Sequence, residues 1–158
     1  MRVCLLAFLV IFAGGCGNSA RPADLPKLTI IFVTINQDGA GLGDASIVLF
    51  AEPPIKWSVG GVTNTTGICK PRTHGQFDGV PLGKYKVVVT KDITEIPEVS
   101  PDTPKDDDGQ PILDGIVYSL VEEKYVKIET TPLTIEVDGK NNQFILDVGK
   151  AVKNRKEK

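Results

Sequence analysis

Between residues 28 and 148 the chain is a succession of short β-branched and aromatic runs, each stopped by glycine, proline, asparagine or aspartate. "LTIIFVTI" (28–35) ends at "QDGAG", where Asp38-Gly39 is a hairpin-type turn signal. "ASIVLF" (45–50) alternates, with Ala45, Ile47 and Leu49 on one face, and is broken by prolines at 53 and 54. "GGVTNTTG" (60–67) reads as a short strand edge entering a turn. "ICKPR" (68–72) and "KYKVVVTK" (84–91) flank "PLG", and the second run sets Tyr85, Val87 and Val89 opposite Lys84 and Lys86. "LTIEV" (133–137) and "NQFILDV" (142–148) are joined through Asp138-Gly139, with Leu133, Ile135, Val137, Phe144 and Leu146 as inward candidates. Strands this short, with turn chemistry between them and no long helical run, predict an all-β fold: an antiparallel β-sandwich of seven to eight strands.

The first residues are read as a processing segment and set apart from the fold. Arg2 precedes the apolar stretch "VCLLAFLVIFA" (3–13), which is short for a bilayer span, and Gly14, Gly15 and Cys16 follow. This order resembles a bacterial lipoprotein signal, in which the cysteine becomes the first mature residue and carries the lipid. Ala13 stands where such signals usually have Leu, Val or Ile. The other reading is an ordinary secretory signal with Cys16 incidental. The resemblance divides the chain into a signal peptide (1–15), a lipidated Cys16 with a flexible tether (16–27), the sandwich (28–149) and a basic tail (150–158). It implies a membrane partner reached through an N-terminal lipid, and an exported location in the cell envelope, facing the periplasm or in the outer membrane. Of the three cysteines, Cys4 then leaves with the signal and Cys16 takes lipid, so Cys69 remains with no disulfide partner.

Composition narrows the chemistry. A net charge of −2 offers no electrostatic case for nucleic acid. The single histidine excludes histidine-rich zinc or iron sites. His74 with Cys69 is the one pair to consider as base and nucleophile. On an extended 68–73, Cys69, Pro71 and Thr73 share a face while His74 points away or enters a turn. Five extended residues span about 16 Å, whereas nucleophile and base must meet at roughly 3 Å. The pair is therefore read as architecture, with Cys69 as a small buried hydrophobe.

The segment 92–132 is irregular, with "YSLVEEKY" (118–125) able to make one or two helical turns. Its aspartates, Asp102, Asp106, Asp107, Asp108 and Asp114, are oxygen ligands of the kind calcium takes, though not in the EF-hand pattern. Trp57, Tyr118 and Tyr125 are the aromatics that a glycan or peptide site would use, or else packing residues. Asn64-Thr65-Thr66 fits a glycosylation sequon and is read as turn chemistry.

Three stretches, "QDGAGLGDASIVLF", "GGVTNTTGICKPR" and "VPLGKYKVVVTK", resemble the pattern of transthyretin-like, carboxypeptidase-regulatory-like domains. The matching positions are Gly41, Leu42, Ala45 and Ile47, then Thr63, Asn64 and Gly67, then Pro81, Gly83, Tyr85, Val87 and Val89. Gly41 departs from the proline common in that loop. "THGQFDGVPLGKY" and "KYVKIETTPLTIEV" are similar to small bacterial lipoproteins carrying this domain. The resemblance implies a prealbumin-like sandwich in which the motif glycines serve turns and the tyrosine closes one end of the core. It implies no catalytic residue and no cofactor. Enzymes on related folds need several histidines, or two tyrosines with two histidines, which this chain lacks. The expectation is a non-enzymatic, lipid-anchored envelope protein acting as a structural or interaction module with a protein or glycan partner. The alternative is a carbohydrate- or calcium-dependent adhesion module using 92–132.

Overall fold

The computed structural model describes residues 21–156, so Cys16 and the signal segment lie outside the described residues. In chain order the strands are β1 (Leu28–Thr29), β2 (Phe32–Gln37), β3 (Ala40–Gly41), β4 (Ser46–Glu52), β5 (Val59–Val62), β6 (Ile68–Cys69) and β7 (Arg72–Thr73). There follow β8 (Phe77–Asp78), β9 (Val80–Pro81), β10 (Gly83–Thr90), β11 (Asp92–Glu95) and β12 (Ile116–Ser119). A single-turn helix, α1 (Glu123–Val126), precedes β13 (Thr134–Val137), β14 (Gln143–Asp147) and β15 (Asn154–Arg155). The fold is all-β, as the run-and-turn pattern predicts.

Two sheets enclose the core. The larger runs β13-β10-β4-β5-β7-β8, and the smaller is β14-β2-β3 with β6 also paired to β2. Alternation decides which face each strand buries. Ile47 and Leu49 of β4, Tyr85, Val87 and Val89 of β10, and Ile135 and Val137 of β13 meet Val33 and Ile35 of β2 in one cluster. Fully burying each such side chain is worth roughly 1.5–3 kcal/mol. Phe144 and Leu146 are half-buried against the same cluster. Cys69 joins it as a free thiol.

The first predicted strand is divided. Leu28–Thr29 pairs with Val80–Pro81, whereas Phe32–Gln37 belongs to the smaller sheet. The run changes partners at Ile30-Ile31, one side chain exposed and the next fully buried, as at a sandwich corner. Asp38 and Gly39 both take positive φ, 51° and 76°, and close the β2–β3 hairpin with Gln37 opposite Ala40. That is the two-residue turn the Asp-Gly pair predicts.

Three features differ from the sequence reading. The sandwich is not antiparallel throughout: β14 runs parallel to β2, with Phe144 beside Val33 and Leu146 beside Ile35. The cause is that β13 and β14 lie in different sheets, so the Asp138-Gly139 link is a crossing and not a hairpin. Asp138 shapes that crossing by accepting the N–H groups of Lys140 (2.8 Å) and Asn141 (3.1 Å), which hold its carboxyl below the usual range. Secondly, 92–132 is not wholly irregular: β11 and β12 pair antiparallel, Asp92 opposite Ser119. Thirdly, the segment expected as a basic tail supplies β15, which pairs with Tyr118 and Ser119 of β12. Its lysines reach back, Lys153 to Glu95 and Lys156 to Asp92, each at 2.6 Å.

Candidate functional site

The motif stretches build turns. Thr63 is buried; its hydroxyl donates to Leu42 O (2.7 Å) and accepts the Ala45 N–H (2.8 Å). Asn64 Oδ1 accepts the N–H groups of Thr66 (3.0 Å) and Ile68 (2.9 Å), so the sequon is an Asx turn. Gly67 follows at φ +81°, and a Cβ there would fall 2.7 Å from Ile35 O. Gly41 fits as closely: a Cβ on it would lie 2.1 Å from Thr66 O. The Tyr85 hydroxyl donates to Pro81 O at 2.8 Å inside the core, and burial pushes its pKa up to about 12.

Cys69 and His74 form no site. Cys69, Pro71 and Thr73 are buried, whereas His74 is exposed at φ +53° in the turn between β7 and β8. Burial raises the Cys69 thiol to about 11, the reverse of nucleophile activation. His74 instead donates its N–H to Ser58 O (2.7 Å) and sets its ring edge-on to Trp57, centroids 6.0 Å apart.

The five loop aspartates do not converge. Among the described residues no three His, Cys, Asp or Glu side chains come together as a metal site. Asp106 Oδ1 accepts the N–H groups of Gln110 (2.7 Å) and Asp108 (3.1 Å). The "DDDG" run thus closes a turn.

The three candidate aromatics part company. Tyr125 is a buried core residue, which removes it as a ligand contact. Tyr118 is half-buried on β12 with the Lys153 ammonium 4.6 Å from its ring centre. Trp57 is half-buried and shares a surface cleft of about 260 Å³ with Val48, Phe50, Ile55 and Ile128, while Lys56 stands 4.7 Å from its ring centre. The cleft lies on the outer face of the larger sheet. The segment after α1 covers part of that face, with the Thr131 hydroxyl donating to Val87 O at 2.7 Å and Val88 buried beneath. Beyond that cover Val48 and Phe50 stay exposed.

Sequence reasoning placed Trp57 among the candidates but missed Val48 and Phe50. The signal was present: in "SIVLF" both strand faces are apolar, where a solvated outer face alternates with polar residues. Larger hollows lie elsewhere, one of about 780 Å³ at the small sheet β11-β12-β15, beside Asp92, Asp114, Arg155 and Lys156. Asp92 and Lys156 there are spent on each other. Among the described residues no helix is long and apolar enough to cross a membrane. Comparison of the chain with protein-family models, with curated proteins and with solved structures gives no match.

Proposed function

We propose that this chain is a non-enzymatic, lipid-anchored envelope protein whose transthyretin-like β-sandwich is a protein-interaction module. The observation that carries the interaction is the aromatic cleft of Val48, Phe50, Ile55 and Trp57 on an outer sheet face. An apolar cluster bearing a tryptophan, with a lysine at its rim, has the make-up of a protein contact centre. The family reading is supported by the structural use of Thr63, Asn64, Gly67 and Tyr85, and the anchor by the order of charge, apolar run, small residues and Cys16. For the calcium-dependent alternative, no three of its aspartates come together among the described residues.

Two measurements test the reading. Metabolic labelling with a palmitate analogue should mark the wild-type chain and leave Cys16→Ala unlabelled; label persisting in that variant removes the anchor. A photo-crosslinking residue at Ile55 should capture a protein in intact envelopes, and Trp57→Ala should abolish the capture without lowering Tm. A blank capture beside specific glycan-array binding would replace the protein partner with a carbohydrate.

A further inference from the structure

The smaller sheet ends in an edge that is built differently from β8, β11 and β13. Among the described residues β14 pairs only with β2. Phe32 N–H donates to Asn142 O (2.7 Å) and Val148 N–H donates to Asn36 O (2.9 Å). In a parallel strand a residue's N–H and C=O point the same way, so even-numbered residues face β2 and Gln143, Ile145 and Asp147 face outward. Asn141 Oδ1 accepts the Gln143 N–H at 3.1 Å; among the described residues the main-chain groups of Ile145 and the Asp147 N–H have no such shield. The side chain at the centre of this edge, Ile145, is 73% exposed.

Exposed edges normally carry a device against pairing: a charge, a proline, a bulge or very short length. β8 is two residues long, and its Asp78 is held by Lys70 (2.6 Å) and Arg72 (3.0 Å). β13 turns the charged Glu136 outward. β11 has an acidic residue at each end, Asp92 and Glu95. β14 has an isoleucine at its midpoint and its one charge, Asp147, at the end.

The order of residues on this edge selects the occupant. Place a two-fold axis beside Ile145 and run a second β14 antiparallel. Each Ile145 then exchanges N–H and C=O with its copy, and Gln143 of one chain stands opposite Asp147 of the other. A carboxamide donor faces a carboxylate acceptor at both ends, so no like charges meet within the strand. Gly149, at φ +72°, turns the chain before Lys150 can come opposite Lys140. The outer face continues the match: Ile145 lies beside Thr34, and Thr34 beside Ile68. Pairing joins two such rows into one apolar stripe, with an isoleucine pair at its centre.

We infer that β14 is a self-association edge, through which a second copy of this chain adds to the smaller sheet antiparallel and in register at Ile145. This deepens the interaction-module reading and rests on it, but uses a surface apart from the Trp57 cleft.

The test is cysteine cross-linking of the full chain in intact cells, read on a non-reducing gel. Ile145→Cys should convert the chain to a species of twice its mass, while wild type and Glu136→Cys do not. Gln143→Cys and Asp147→Cys should each fail alone, because two copies of one such position lie about 13 Å apart along the paired strands. Co-expressed, those two variants should cross-link to each other. Ile145→Cys giving no more dimer than wild type overturns the inference, as does cross-linking at 145 without the mixed 143–147 product. All three positions are exposed, so folding is not at stake, and unchanged Tm values confirm it. Loss of the β14 cross-link with Trp57-dependent capture intact removes the dimer alone. Loss of capture with the cross-link intact removes the heterologous partner alone.

Discussion

Gly41 is where a single atom constrains this protein most tightly. The β3 turn and the Thr63–Gly67 turn are pressed together with no room for a Cβ, since Thr66 O occupies the place where one would stand on Gly41. Gly41→Ala should lower stability by about 1–3 kcal/mol, the usual range for overpacking against backbone. Gly39→Ala, strained only by its φ of +76° with nothing within 4 Å, should cost less. Denaturant melts of the two variants check the order; equal losses would show that the contact is not what demands glycine at 41. Asn64→Ala removes the acceptor of the Thr66 and Ile68 N–H groups and should cost about 1–2 kcal/mol by the same measurement.

Cys69 and Tyr85 add a pH signature. Burial raises Cys69 from 9.0 to about 11 and Tyr85 from 10.0 to about 12, so both are held neutral in the folded chain. The unfolded chain releases these protons first, and binds fewer protons than the folded chain across that window. Stability is therefore full below pH 9, falls as pH rises, and has lost both contributions above about 12. Cys69→Ala should flatten the lower part of this decline and Tyr85→Phe the upper part, in melts taken at successive pH values. At pH 8 the native thiol should resist a thiol reagent until denaturant is added.

Among the strands, those of the small sheet β11-β12-β15 are held partly by the segment after β14. β15 ties Tyr118 and Ser119 to the end of the chain, and Lys156 N–H donates to Val117 O at 2.9 Å. A chain ending at Gly149 keeps the core cluster, Val148 included, but loses β15 and the Lys153–Glu95 and Lys156–Asp92 pairs. Limited proteolysis should then cut faster within 92–119 while the 28–91 fragment survives. Cleavage at the wild-type rate would show that β15 holds nothing in place. No periodicity announces this sheet: "DITE" and "NR" are polar, and each pairs only with β12, which lies outside its own segment. The core strands were legible because Ile47, Leu49, Val87 and Val89 alternate with exposed or less buried neighbours over several residues, with Val88 the exception buried from the other side.

As a folded unit, the protein is two sheets around one apolar cluster, with Cys69 a free thiol among the described residues. Reductant should therefore leave Tm unchanged; a fall would reveal a disulfide. The candidate surfaces sit outside that cluster, and their visibility in the sequence was uneven. Trp57 stood out as the only tryptophan, but its neighbours Val48 and Ile128 come from β4 and from the segment after α1. The β14 edge could not be read at all, because "QFILD" looks the same whether its outer side is paired or open. Local chemistry was enough for the turns at Asp38-Gly39 and Asn64–Gly67, the strand class and the inward faces, since each depends on neighbours within a few residues. The parallel entry of β14 and the pairing of β11, β12 and β15 depended on which strands met. Those pairings were set by burying the alternating faces together, a condition that acts across the chain and leaves no mark in any one segment.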